Sequence, residues 1–180
     1  DSLTQQQYVY RAARVINNSV NKSYNFITLD RGRRHGIAPE MGVVCPEGVV
    51  GIVRDVSTNY ATVISLLNQR LKVSAKIKNT DYFGAVEWNG MSPRYASLSE
   101  IPLHAVVNVG DWVVTSGFTS IFPEGIAIGV VEEVTHNEGE SYYQIKVKLS
   151  VDFNKVNYIE TIENRGRKER LSIEKNTEND

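Results

Sequence analysis

A chain of 180 residues with 41% apolar composition holds one large domain or two small ones and can bury a real core, which excludes a disordered polymer. Lys and Arg number 20 against 21 Asp and Glu, a formal net charge of -1, and this balance argues against a nucleic-acid binder, whose affinity rests on a basic surface. The single cysteine, Cys45, makes neither an internal disulfide nor a cysteine-based zinc site by itself and reads as a small buried apolar residue.

The chain opens on Asp1-Ser2-Leu3 with no signal peptide, and no stretch approaches the roughly 18 apolar residues that span a bilayer. A start on Asp instead of Met reads as a fragment or processed form, with any membrane anchor upstream. Gln5 to Ala13 carries the one passable helix signal, in Gln, Arg and Ala, and is too short to be stable alone. From Arg14 to Glu163 the pattern is strand, turn, strand, with β-branched and aromatic runs separated by Gly, Pro, Asn or Asp. The expected strands are Arg14–Val20, Tyr24–Leu29, Gly42–Cys45, Val49–Val56, Ala61–Leu67, Lys72–Ile77, Phe83–Trp88, Tyr95–Leu98, Trp112–Thr115, Ile126–Val134, Tyr142–Leu149 and Asn157–Ile162. In Lys72–Lys78, Val73, Ala75 and Ile77 share one face, and Gln144–Leu149 alternates likewise. A period of two puts one face on a core and the other in water, as in antiparallel sandwiches and barrels. Twelve or so short strands suit two antiparallel barrels of about six strands each better than one.

The expected organisation is therefore all-β. Residues 1–13 end a helix, 14–71 with 150–163 form a first barrel, 72–149 form a second, and 164–180 form a charged tail. The tail, Asn164-Arg165-Gly166-Arg167-Lys168-Glu169-Arg170 and onward to Asp180, is nearly without apolar residues and reads as disordered.

Signals for chemistry are sparse. His35, His104 and His136 sit in turns without metal-ligand spacing, and there is no nucleophile elbow, P-loop or dinucleotide glycine fingerprint. Two successive barrels raise the question of a serine hydrolase with His35, Asp55 and Ser116, but Ser116 lacks a glycine-rich oxyanion setting before it. Trp88, Trp112, Tyr82 and Tyr95 are candidate stacking platforms for a carbohydrate-binding module, although strand aromatics more often pack in cores. The sequons at Asn17-Asn18-Ser19 and Asn21-Lys22-Ser23 read as a polar turn between strands. The chain is read as non-enzymatic and without cofactor or metal.

The most informative stretch is Gly110 to Val131. Gly110-Asp111 marks a turn, Trp112–Thr115 is β-prone, Gly117 and Gly125 allow positive φ, and Pro123 stiffens the loop between them. Phe118, Ile121 and Phe122 make this loop unusually apolar. It is either a plug on a barrel end or, with Pro123, a partner-facing patch.

This run resembles the signature region of the MreC family of rod shape-determining proteins, in which a Gly-Asp turn leads through Thr-Ser-Gly and an Ile-Phe-Pro-x-Gly loop into an Ile-Gly-x-Val strand. Gly36–Val44, Gly48–Val53, Ala61–Leu67 and Asn25–Gly32 are similar to further family segments, in consistent order over about Arg14 to Ile162. One departure is Glu40, where a glycine is usual before the Met. The resemblance implies two β-barrels outside the inner (cytoplasmic) membrane, anchored by one N-terminal membrane helix and a coiled coil, of which Gln5 to Ala13 would be the end. It implies a scaffold of the cell-elongation complex that forms a homo-dimer or larger assembly. The implied partners are the class B penicillin-binding protein, RodA, MreD and MreB, and binding the first of these activates peptidoglycan synthesis.

Overall fold

The computed structural model describes residues 7–180. Gln7 is helical, and strand β1 spans Tyr8–Asn18. The helix expected over Gln5–Ala13 is therefore strand from Tyr8 onward, while residues 1–6 lie outside the described residues. The reason is long-range. Tyr8 to Arg14 pair antiparallel with Asn164 to Tyr158 of the last strand, and such a ladder overrides a weak local helix propensity, especially in a run containing Tyr8, Val9 and Tyr10.

The chain continues through β2 (Tyr24–Leu29), a 3-10 turn at Arg33–His35, β3 (Gly42–Cys45), β4 (Gly48–Val56) and β5 (Ala61–Asn68). Then come β6 (Lys72–Ile77), β7 (Phe83–Glu87), β8 (Tyr95–Ser99), β9 (Trp112–Thr115), β10 (Ala127–Thr135), β11 (Gln144–Leu149) and β12 (Tyr158–Asn164). They close into two barrels of six strands, ordered β1-β12-β3-β4-β5-β2 and β10-β11-β8-β7-β6-β9. Every strand pair is antiparallel. The chain leaves the first barrel after β5, builds the second, and returns through 150–157 to insert β12 between β1 and β3. Closure leaves no free sheet edge in either barrel.

The alternation seen in the sequence is the inside–outside alternation of these barrels. Val73, Ala75 and Ile77 on β6 and Ile145, Val147 and Leu149 on β11 are buried, with the intervening lysines directed outward. Each fully buried Val, Ile or Leu side chain contributes about 1.5–3 kcal/mol.

The β1–β2 turn is fastened by Asn25, which is fully buried. Its Nδ2 donates to the carbonyls of Lys22 at 2.7 Å and Leu67 at 2.6 Å. Its Oδ1 accepts from the Lys22 N–H at 3.0 Å and the Ser19 hydroxyl at 2.9 Å. Asn25→Leu leaves these partners unpaired in a buried site. It should lower the free energy of unfolding by about 2 kcal/mol, as expected for buried polar groups left unpaired. Urea denaturation checks this, and an unchanged midpoint would mean that the turn does not depend on the amide.

The two barrels meet through backbone-close contacts. The Phe122 ring, 4% exposed, lies so close to Gly42 that a Cβ there would come within 2.6 Å of it. Gly48, at φ +147, faces the Ala127 carbonyl, which a Cβ would approach to 2.2 Å. Ser150 donates its N–H and hydroxyl to the Ile128 carbonyl at 3.0 and 3.1 Å. Only glycine allows the backbones of β3 and β4 to approach the second barrel this closely.

The charged tail is also ordered. Arg167–Glu178 forms helix α1, none of whose residues is buried, where disorder was expected. Arg, Lys, Glu and Leu are good helix formers. The pair Arg170–Glu174, 2.8 Å apart, has the i,i+4 spacing that supports a helix, and contacts with the barrels add the rest.

Candidate partner-binding loop at the barrel junction

The loop Ser116 to Ile126 between β9 and β10 is shaped by its own polar groups. Thr115, 1% exposed, donates its hydroxyl to the Pro123 carbonyl at 2.6 Å and accepts the Ile126 N–H at 2.9 Å. The Ser116 hydroxyl accepts the Phe118 N–H at 3.3 Å, and the Ser120 N–H donates to the Gly117 carbonyl. Gly117, Ser120 and Gly125 have φ of 82°, 61° and 96°. Two glycines meet this demand without strain, and Ser120 carries it as a non-glycine residue. Glu124 pairs with the Lys76 ammonium, tying the loop to β6.

The four residues singled out in this loop separate in the structure. Phe118 is 56% exposed and packs at 4.5 Å between centroids on Phe83, so an aromatic pair faces solvent on the second barrel. Ile121 and Pro123 are half-buried. Phe122 is not at the surface; it is the ring that fills the junction against Gly42. The plug and the patch are thus two ends of one loop, with Phe122 inward and Phe118 outward.

Beside the loop lies a groove of about 360 Å³, bounded by Ala38 and Met41 of the first barrel, Ile121 of the loop, Ile162 of β12, and Leu171 of α1. Glu40 stands at its rim at φ 69. The turn that a glycine would make is therefore preserved, with a carboxylate added, and that carboxylate pairs with Arg167 at 2.7 Å. Composition hid this contribution of the tail. A visible signal was the i,i+3 spacing of Arg167 and Arg170, two hydrogen-bond donors on one helical face.

The residues considered for catalysis do not converge. His35 Nδ1 accepts the Gly32 N–H at 3.0 Å, and partial burial together with Arg34 and Arg31 holds its imidazole below the usual pKa. Asp55 is exposed and pairs with Arg54 at 3.8 Å, and Ser116 is engaged with its own loop. Of the aromatic candidates, Trp88 is buried and donates to the Ser92 carbonyl at 2.8 Å. Tyr82 packs on the core and edge-on to His104, Tyr95 is covered by the Lys146 ammonium, and Trp112 is 45% exposed. Among the described residues no group of three or more His, Cys, Asp or Glu is placed to hold a metal.

The thiol of Cys45 is pushed up to about 11, first by burial and then by its hydrogen bond with Glu47. A raised pKa means less thiolate. At pH 8 alkylation by iodoacetamide should run about 100-fold slower than for an unperturbed thiol, one factor of ten per pKa unit. Reaction at the rate of free cysteine would contradict this placement.

Comparison with known proteins places these features in context. The family model for rod shape-determining protein MreC, barrel core, matches residues 15–163. The chain is 29% identical over 150 residues to the cell shape-determining protein MreC of Listeria monocytogenes, covering 82% of this chain and 51% of that protein. It is 30% identical over 146 residues to the Bacillus subtilis protein of the same name, covering 75% and 49%. The chain thus spans about half the length of these relatives. Among solved structures, MreC of Listeria monocytogenes superposes with a TM-score of 0.80 at 27% identity, covering 88% of this chain and 77% of that one. A Helicobacter pylori structure of a complex between penicillin-binding protein PBP2 and MreC matches in fold, with a TM-score of 0.67 at 17% identity over 86% and 98% of the chains.

Proposed function

The chain belongs to the MreC family of rod shape-determining proteins, and from that premise we propose that it is a non-enzymatic scaffold of the bacterial cell-elongation complex. The observation that carries the proposal is the family match across 15–163, which takes in strands of both barrels and the junction loop. In this reading the region lies outside the cytoplasmic membrane, held there by an N-terminal membrane helix. It self-associates as a dimer or larger assembly and works beside RodA, MreD and MreB. Its direct partner is a class B penicillin-binding protein, whose peptidoglycan synthesis it activates. The complex described for the Helicobacter pylori protein supports that choice of partner.

The proposed contact is the exposed end of the junction loop, with Phe118 at its centre and Ile121 and Pro123 flanking it, and with Phe122 beneath as support. An aromatic anchor in a rigid loop gives contact area at low entropic cost, and such anchors dominate interface energies. Phe118→Ser with Ile121→Ser should weaken binding to the soluble domain of the cognate penicillin-binding protein at least tenfold by calorimetry, which is about 1.4 kcal/mol. Phe118→Ser alone should change thermal unfolding little, because Phe118 is largely in solvent, whereas Ile121→Ser removes a half-buried side chain packed on the core and lowers stability somewhat. Unchanged affinity in a folded variant would move the contact elsewhere on the barrels.

A further inference from the structure

The C-terminal segment is fastened to the junction loop by a repeating pattern. Asn164 Nδ2 donates to the Ser120 carbonyl at 2.9 Å, Arg167 Nε to the Thr119 carbonyl at 3.4 Å, and Arg170 Nη2 to the Phe118 carbonyl at 3.3 Å. Three consecutive carbonyls are thus met by donors three residues apart, Asn164 from the end of β12 and Arg167 and Arg170 from the first turn of α1, where an i,i+3 spacing puts both side chains on one helical face. The two segments run in opposite directions. Arg170 also reaches the Ser120 hydroxyl, and Ser120 is buried and in the left-handed region. Arg167 additionally pairs with Glu40 of the first barrel at 2.7 Å, and Glu40 too is at positive φ. Two strained non-glycine residues, one from each barrel, therefore present acceptors to the same helix, and such outliers mark places where backbone geometry serves a contact.

The attachment is polar and shallow. No residue of α1 is buried, and a helix of 12 residues is marginal by itself. Its ion pairs are partly exposed and weaken with salt. We propose that α1 is a reversible latch across the barrel junction. Docked, it fixes the Phe118–Ser120 backbone and bridges the barrels through Glu40. Released, it frees the loop and opens the groove lined by Met41, Ile121 and Ile162. The latch stands independently of any external partner.

Amide hydrogen exchange on the whole chain tests it. In Arg167→Ala with Arg170→Ala, the Phe118 and Ser120 amides should exchange about tenfold faster than in the parent chain, while β4 and β5 keep their rates. Arg165→Ala, whose side chain takes no part in the ladder, should leave the loop unchanged. Arg167→Glu should accelerate the loop, and adding Glu40→Arg should restore part of the protection. Three results would each overturn the latch: unchanged loop exchange in the double variant, unfolded-chain rates for the α1 amides in the parent chain, or equal acceleration of the loop and of β4 and β5.

Discussion

Phe122→Ala lowers the free energy of unfolding by about 3–5 kcal/mol, the range for deleting a buried phenylalanine ring. The ring is 4% exposed, and its neighbour Gly42 has no side chain to move into the space left behind. The cavity therefore stays open, and its location matters as much as its size. Phe122 reaches from the second barrel onto β3 of the first, so its loss also loosens the junction. Urea denaturation gives the stability change, and a loss below about 1 kcal/mol would place the ring in solvent instead of in the junction. Phe118→Ala, only a few residues away but 56% exposed, should cost far less.

The second large effect is Gly48→Ala. At φ +147 an L side chain is strained, and the added Cβ would meet the Ala127 carbonyl at 2.2 Å. Strain of about 1–3 kcal/mol and overpacking of similar size together predict a loss of about 4 kcal/mol. Because the clash is with backbone, no rotamer relieves it; the barrels must shift apart. Small-angle scattering of any folded fraction should show a larger radius of gyration, and a variant of parental stability and size would contradict the close approach.

Much of the fold is legible along the chain, and the reason is periodicity. Stretches such as Lys72–Ile77 and Gln144–Leu149 write their inward and outward faces directly into residue order. What fails is whatever depends on a distant partner. Tyr8–Ala13 is locally ambiguous and becomes strand because Ile159–Asn164 arrives beside it from the other end of the chain. Phe118, Ile121 and Phe122 lie in a loop without period, so apolarity flagged the loop but did not distinguish the inward ring from the outward one. Arg167 and Arg170 look like solvated charge until the Phe118–Ser120 carbonyls and Glu40 are placed opposite them. Glu40 illustrates the same limit, since its positive φ is a property of the turn and its usefulness is a property of α1.

The scaffold proposal meets its most direct test in sedimentation velocity of this chain with the soluble domain of the class B penicillin-binding protein from the same organism. A discrete faster-sedimenting complex that saturates at fixed stoichiometry is expected, and it should be lost on combining Phe118→Ser with Ile121→Ser. Two species that sediment independently up to high micromolar concentration would contradict the claim that these barrels themselves carry the contact.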